Sequence, residues 1–376
     1  MLRSTIWKSA RLWALLLLFG FMASACNTEK PPIRIGFSGG ITGRYSDLGV
    51  SGRNGVMLAV EEINRAGGIQ GRQVELIIRD DRQNPEAAIK ADEDLIRQNV
   101  VAIIGHMTSA MTMAVMPLIN REQVLLISPT TSTSTLTGIN DWFFRTAGEN
   151  EPLAQGLAEY LIQKAAIQKM AVMFDSSNRA YSETYIKSFR SRFAELGGRL
   201  TLVASFSSGN DPLRDIISQN LLQPPTDGVL IIAGGLDAAL ICQQIRKQHP
   251  TIPVAATGWS MTGDFLEHGG PAVEGTLFMD YFDWSSKRPS FLQFQKAYRE
   301  RFGMEPNFSA VYAYDTAQVL FQSLSQNSDP KALRKTITDI GHFSGVMQDF
   351  DIDAFGDAHR HPFLITASNG RFVTPE

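Results

Sequence analysis

The chain has 376 residues, 44% of them hydrophobic and 19% charged, with a formal net charge of −3 and two cysteines. That length is too great for one comfortable core and suits two domains. A mildly acidic balance leaves no electrostatic footprint for nucleic acid.

The first 26 residues carry three cations (Arg3, Lys8 and Arg11), then the apolar run Leu12 to Met22, then Ala23-Ser24-Ala25-Cys26. This is the order of a secretory signal, too short and wrongly flanked for a membrane span. Two processing routes fit. The small-small-Cys ending resembles a lipobox, with cleavage before Cys26 and lipid on its thiol, although Ala23 stands where Leu is usual. Ordinary cleavage after Ala25 would instead release a soluble periplasmic protein. By either route the working chain is exported, to the periplasm or the cell envelope. Removing residues 1–25 leaves 351 residues, and takes away three cations and no acids, so the charge becomes −6. With Cys26 lipidated, Cys242 has no disulfide partner, and its place in the helical pattern Ala238 to Ile245 reads as core.

From Ile33 onward, strand-like apolar runs alternate with helical patterns. Ile33 to Phe37 reads as a strand, and Gly55 to Ala66 as a helix with Val56, Ala59, Val60 and Ile63 on one face. Gly67-Gly68 stops it. Val74 to Ile78 is a strand, and Pro85 to Gln98 a helix capped by Asn84 with Pro85 in its first position. Val100 to Gly105 is strand, Ser109 to Asn120 helix, and Val124 to Ser128 strand. The order restarts at the short strand Trp142 to Arg145, with a helix near Pro152–Ala165. Strands at Met170–Phe174, Leu200–Phe206, Gly228–Ala233 and Pro253–Thr257 follow, with helices near Tyr181–Leu196, Pro212–Leu222 and Leu236–His249. Gly275 to Met279 is one more strand. Helices then fill Pro289–Phe302, Ser309–Ser325 and Pro330–Ile340, before a short strand pair near Val346–Phe350 and Phe363–Thr366. Repeated β-α order gives α/β lobes with doubly wound parallel sheets. The late helices need a sheet to cover, so the chain is expected to return to the first lobe after residue 280.

Two loops are positioned for binding. Gly105 to Ser109 leaves one strand and opens a helix; Ser128 to Thr135, rich in hydroxyls, leaves the next. In open parallel sheets, ligands sit outside the carboxyl ends of strands, and a helix N-terminus there offers free N–H groups. Together these make a neutral cradle for a carboxylate or another small anion. Other patterns carry less. Gly36 to Gly40 matches G-x-S-x-G, but it follows the first strand and no immediate helix comes after, so a serine esterase is a remote alternative. Asp80-Asp81 reads as the polar loop before the helix capped by Asn84. His359-Arg360-His361 reads as a solvated turn, and the remaining histidines, His106 among them, have no ligand spacing. No Walker loop, dinucleotide fingerprint or HExxH occurs, so no cofactor or metal is expected.

Glu61 to Arg72, the strand ending Asp80-Asp81, Asn84-Pro85, Ile104-Gly105-His106 with Ser109, Ile127-Ser128-Pro129, Phe144-Arg145-Thr146 and His268 to Gly275 together resemble the leucine/isoleucine/valine-binding family of periplasmic binding proteins. The resemblance implies two lobes joined by three crossovers, with a small ligand clamped between them. Its lobes would be residues 33–147 plus 281–344 and residues 148–280 plus 345–376, the third crossing near Ser344–Met347. It places Ser109, Thr131 and Ser132 at an amino acid's α-carboxylate, Tyr181 as the closing aromatic, Leu48 in the side-chain pocket and Asn150 on the hinge side. Trp259 stands where the amino-acid binders put a glutamate for the ligand's ammonium. Either another acid serves (Asp175, Asp237 or Asp280), or the ligand is not an ordinary α-amino acid; an aromatic carboxylate stacking on Trp259 would fit. The implied function is the substrate-binding component of an ABC importer, a monomer that hands its solute to an inner-membrane permease. A ligand-sensing module of the same fold is the alternative.

Overall fold

The computed structural model describes residues 30–217 and 225–375. The signal segment, Cys26 and the later part of the helix expected over Pro212–Leu222 lie outside them. The first β runs become β1 (Ile33–Gly39), β2 (Val74–Asp80), β3 (Ala102–Gly105), β4 (Leu125–Ser128) and β5 (Phe143–Arg145). They form one sheet in the order β2-β1-β3-β4-β5, each neighbouring pair parallel. Every residue of β3 and β4 is buried, as suits strands covered on both faces. Helices α1 (Ser46–Arg65), α2 (Pro85–Arg97) and α3 (Ser109–Glu122) make the crossovers. Asn84 caps α2 as expected, its side chain accepting from the Ala87 N–H.

The second half gives α4 (Asn150–Gln163), β6 (Lys169–Asp175), α5 (Arg179–Glu195), β7 (Arg199–Phe206), α6 (Leu213–Ile216), β8 (Gly228–Ile232), α7 (Gly235–Gln248), β9 (Val254–Ala256), α8 (Gly263–Gly269) and β10 (Leu277–Asp280). After β10 come α9 (Pro289–Phe302), α10 (Phe308–Gln326) and α11 (Leu333–Ile340), then β11 (His342–Ser344), β12 (Asp349–Ile352), β13 (Ala358–His359), β14 (Phe363–Ser368) and β15 (Arg371–Val373). The second sheet runs β15-β14-β10-β9-β8-β6-β7, with β14 antiparallel to β10. Helix α10 returns to the first lobe and packs along α1. Cys242 is buried and free, and burial pushes its thiol up to about 12.

Several expectations change. Helix α1 begins at Ser46, not Gly55. Its glycines read as a loop by propensity, yet they permit close contact: a Cβ on Gly49 would fall 1.9 Å from the Gly40 carbonyl oxygen, and one on Gly55 2.1 Å from that of Ala310. The strand at Phe143–Arg145 closes the first sheet instead of opening the second. The two late strands do not pair with each other. β12 joins β11 and β13 in a small antiparallel sheet, while β14 joins β10. That small sheet leads into a turn held against the first lobe, where the Arg145 N–H donates to the Gly356 carbonyl and the Arg145 guanidinium lies 2.7 Å from Asp357. The chain therefore enters the second sheet at Phe363, well beyond Ser344–Met347.

Arg360 is buried where the connecting segments meet, not in a solvated turn. Its guanidinium donates to the Thr146 carbonyl at 2.6 Å and to Asp315 at 3.1 Å. The Phe350 and Tyr312 rings lie 3.9 and 4.8 Å from it. Gln348 ties the same place to the carbonyl of Tyr281.

Candidate functional site

The loops after β3 and β4 lie side by side because their strands are neighbours. His106 anchors the first. It is fully buried, with Nδ1 2.7 Å from Asp81 and Nε2 3.1 Å from Asp92. Burial opposes its charge, but the carboxylates of Asp92 and Asp81 outweigh burial and lift the imidazole to about 10. Its carbonyl oxygen accepts from the Ser128 hydroxyl at 2.7 Å, which stitches the two loops together. Thr130 donates to the Met107 carbonyl at 2.8 Å, and Thr131 pairs with Thr112 at 2.7 Å. Much of the hydroxyl run therefore builds the scaffold.

What remains faces a cavity between the lobes. The first lobe contributes Leu48, Met107, Thr108, Ser109, Thr130 and Ser132; the second contributes Leu153, Asn178, Tyr181, Gly258, Trp259 and Asp280; Ala147, Gly148, Tyr281 and the α10 residues Phe308 and Tyr312 complete it. The cavity gives about 50 Å³ to the centres of water-sized molecules, several times the ~10–15 Å³ that one water needs. The Ser109 and Ser132 hydroxyls have no protein partner among the described residues. Ser109 opens α3, whose first N–H groups have no intrahelical acceptor.

Five of the seven expected residues meet here: Leu48, Ser109, Ser132, Tyr181 and Trp259. Thr131 and Asn150 do not line the cavity. Thr131 sits one residue too deep, against α3, and Thr130 takes the lining position. Asn150 is buried behind, donating to the Tyr181 carbonyl at 3.2 Å and to Thr184 at 2.8 Å, so it positions the aromatic. Trp259 stands in an aromatic cluster, its ring 5.6 Å from that of Tyr45 and 5.9 Å from that of Tyr181.

The three acids weighed as cation partners separate cleanly. Asp175 receives the hydroxyls of Tyr45 and Ser177 and the Ser177 N–H. Asp237 receives Arg44 and Ser208. Both acids therefore bond across the cleft, from the second lobe to Arg44 and Tyr45 of the first. Only Asp280 lines the cavity; burial raises it to about 7, against the pull of nearby backbone N–H groups and the Tyr312 hydroxyl. Two further bonds cross the lobes, the Ala110 N–H to Asn178 at 3.0 Å and the Thr133 hydroxyl to the Ala180 carbonyl at 2.7 Å. The lobes are thus closed upon the cavity.

Ser38 of the G-x-S-x-G string is buried within β1, not presented on a strand-to-helix turn. Among the described residues no His/Cys/Asp/Glu group has the shape of a metal site, and no helix is long and apolar enough to cross a membrane. Sequence reasoning missed the Asp81–His106–Asp92 cluster and the roles of Tyr45, Thr130 and Tyr281. A histidine and an acid each following a strand of one sheet was the available signal for the cluster.

Known proteins share this architecture. Leu/Ile/Val-binding protein homolog 2 of Brucella abortus (strain 2308) is 26% identical over 343 residues, which cover 90% of this chain and 91% of that one. A leucine-binding protein from Thermotoga maritima superposes with a TM-score of 0.82 at 25% identity, over 92% of this chain and 98% of its own. An ABC-transporter solute-binding protein from R. palustris, in complex with benzoate, has the same fold (TM-score 0.81, 19% identity, 91% and 95% covered). The profile of the periplasmic binding protein family matches residues 32–370, and this chain belongs to that family.

Proposed function

We propose that this protein captures a small carboxylate-bearing solute between its lobes and delivers it to the permease of an ABC importer. One observation carries the reading: an inter-lobe cavity in which the hydroxyls of Ser109 and Ser132 have no protein partner among the described residues, beside the N-terminus of α3. Such a group favours a carboxylate through charge-assisted hydrogen bonds and the helix dipole. A solute touching both lobes has more contacts in the closed form and shifts the population toward it. The leucine-binding relative and the benzoate-bound one both handle carboxylates, in keeping with this chemistry. Binding, not turnover, is the activity.

Cys26 is the lipid anchor in this reading, holding a monomer at the membrane while the lobes work in the periplasm. An intact mass carrying acyl chains, lost in Cys26→Ala, tests that part. The capture itself is tested by a thermal-shift screen of amino acids, aromatic acids and small amides, because a ligand bound only by the folded form raises the melting temperature. A carboxylate raising it, confirmed by calorimetry at micromolar Kd or tighter, supports the proposal. A preference for uncharged amides over every carboxylate refutes it.

A further inference from the structure

Parallel strands give the first lobe two unlike ends. The solute cavity lies at their carboxyl ends, beyond β3 and β4. At their amino ends the chain enters β1 just after Lys30, and the crossover helices α1, α2 and α3 finish. Hydrogen bonds tie this second end together. Lys30 donates to the Gln70 carbonyl at 3.4 Å, and Gln70 to the Ser325 carbonyl in the last turn of α10 at 3.0 Å. Arg334 donates to Asn140 at 2.6 Å, and the Trp142 N–H to Asn120 of α3 at 3.1 Å.

Its charge is one-sided. Lys30, Arg65, Arg72, Lys331 and Arg334 lie here, and none forms an ion pair among the described residues; where they bond, it is to carbonyls or to the Asn140 amide. The acids beside them are engaged. Asp339 pairs with Lys335, Glu122 with Arg121 and Asp94 with Arg97, while Asp329 and Asp141 accept from backbone N–H groups. Among the cations stand Ile139, 42% exposed, and the half-buried ring of Trp142, 5.0 Å from the Arg334 guanidinium.

We infer that this end of the first lobe rests on an anionic lipid surface, its cations on headgroup phosphates and Ile139 and Trp142 at the interface. The inference rests on the lipid anchor at Cys26 and adds how the anchored protein lies. Lys30 is four residues beyond Cys26, a reach of about 14 Å at most, so the anchor brings this end to the headgroups. The tether carries one acid, Glu29, against the five cations. Lys and Arg are drawn to an anionic surface, and Trp suits the headgroup level. In this pose the cleft points away from the membrane, open to arriving solute.

The test uses the mature chain with Cys26→Ser, so that no acyl chain contributes, and phosphatidylcholine vesicles with or without about 30% phosphatidylglycerol. Cosedimentation at millimolar lipid should be at least about 10-fold stronger on the anionic vesicles, and about 0.5 M NaCl should erase the difference. Lys30→Glu/Lys331→Glu should lower that binding at least about 10-fold. Lys187→Glu/Arg190→Glu, which reverses two exposed cations of α5 in the second lobe, should leave it within twofold. A second measurement restores the tether by coupling Cys26 of the parent chain to a maleimide lipid, Cys242 being buried. Brominated lipid should then quench a fluorescence component that is missing in Trp142→Phe. Equal binding to both kinds of vesicle, binding to neither, equal losses in the two double variants, or an unquenched Trp142 would overturn the inference. Those results leave standing both solute capture and the acyl mass of Cys26, which are measured separately.

Discussion

Tyr45→Phe probes closure with the loss of one oxygen atom. Tyr45 stands just before α1 in the first lobe and reaches the second, where its hydroxyl donates to Asp175 and lies 3.1 Å from the Ser177 hydroxyl. Phenylalanine keeps the ring that packs 5.6 Å from Trp259. The abandoned carboxylate is not orphaned, because the N–H and hydroxyl of Ser177 still donate to it, each at 2.8 Å. The loss therefore falls in the lower part of the ~1.5–3 kcal/mol range for a hydrogen bond to a charged group, about 1.5–2 kcal/mol. When the lobes separate, water replaces the hydroxyl, so the cost falls on the closed form alone. Affinity should drop roughly 10- to 30-fold, chiefly as faster dissociation. Calorimetry and stopped-flow release, on whichever solute the screen selects, measure both. A Kd within twofold of the parent would show that this bond is absent from the ligand-bound state and that the contacts seen here do not report closure.

Ser109→Ala and Ser132→Ala should each weaken binding of that solute about 10- to 100-fold, with little change in the melting temperature of the free protein; an unchanged Kd in both removes the hydroxyl cradle. His106→Ala should lower stability by roughly 3–5 kcal/mol in urea unfolding, because it strands Asp81 and Asp92 in the core. The histidine's folded value, about 10, lies above its ordinary 6.5. Its contribution is therefore fully present below pH 6.5 and is lost as the pH rises through about 10; a urea midpoint that climbs over that interval contradicts the buried imidazolium. Cys242, buried with its thiol pushed up to about 12, should resist a thiol reagent in the native protein and react at once in denaturant.

The alternation of β and α runs was plain because parallel strands covered on both faces read as continuous apolar stretches, as in β3 and β4. Asn84, Pro85 and Gly67 marked helix limits by local chemistry alone. Long-range contacts decided the rest. Gly49 and Gly55 look like breaks until the carbonyls of Gly40 and Ala310 lie against them. Phe143–Arg145 carries nothing to say which sheet it joins, and the partner of β12 is likewise fixed in space, not in sequence. At the site, Ser109 and Ser132 were legible as hydroxyls at strand ends, but the inward or outward turn that separates Thr130 from Thr131 was not. His106 looked isolated because its two carboxylates lie 25 and 14 residues away.

The guanidinium of Arg360, wedged between two rings and answered by Asp315, lies buried where the connecting segments meet. Wrenching it loose would strand two opposite charges in oil, so this junction is expected to stay intact in any movement of one lobe against the other.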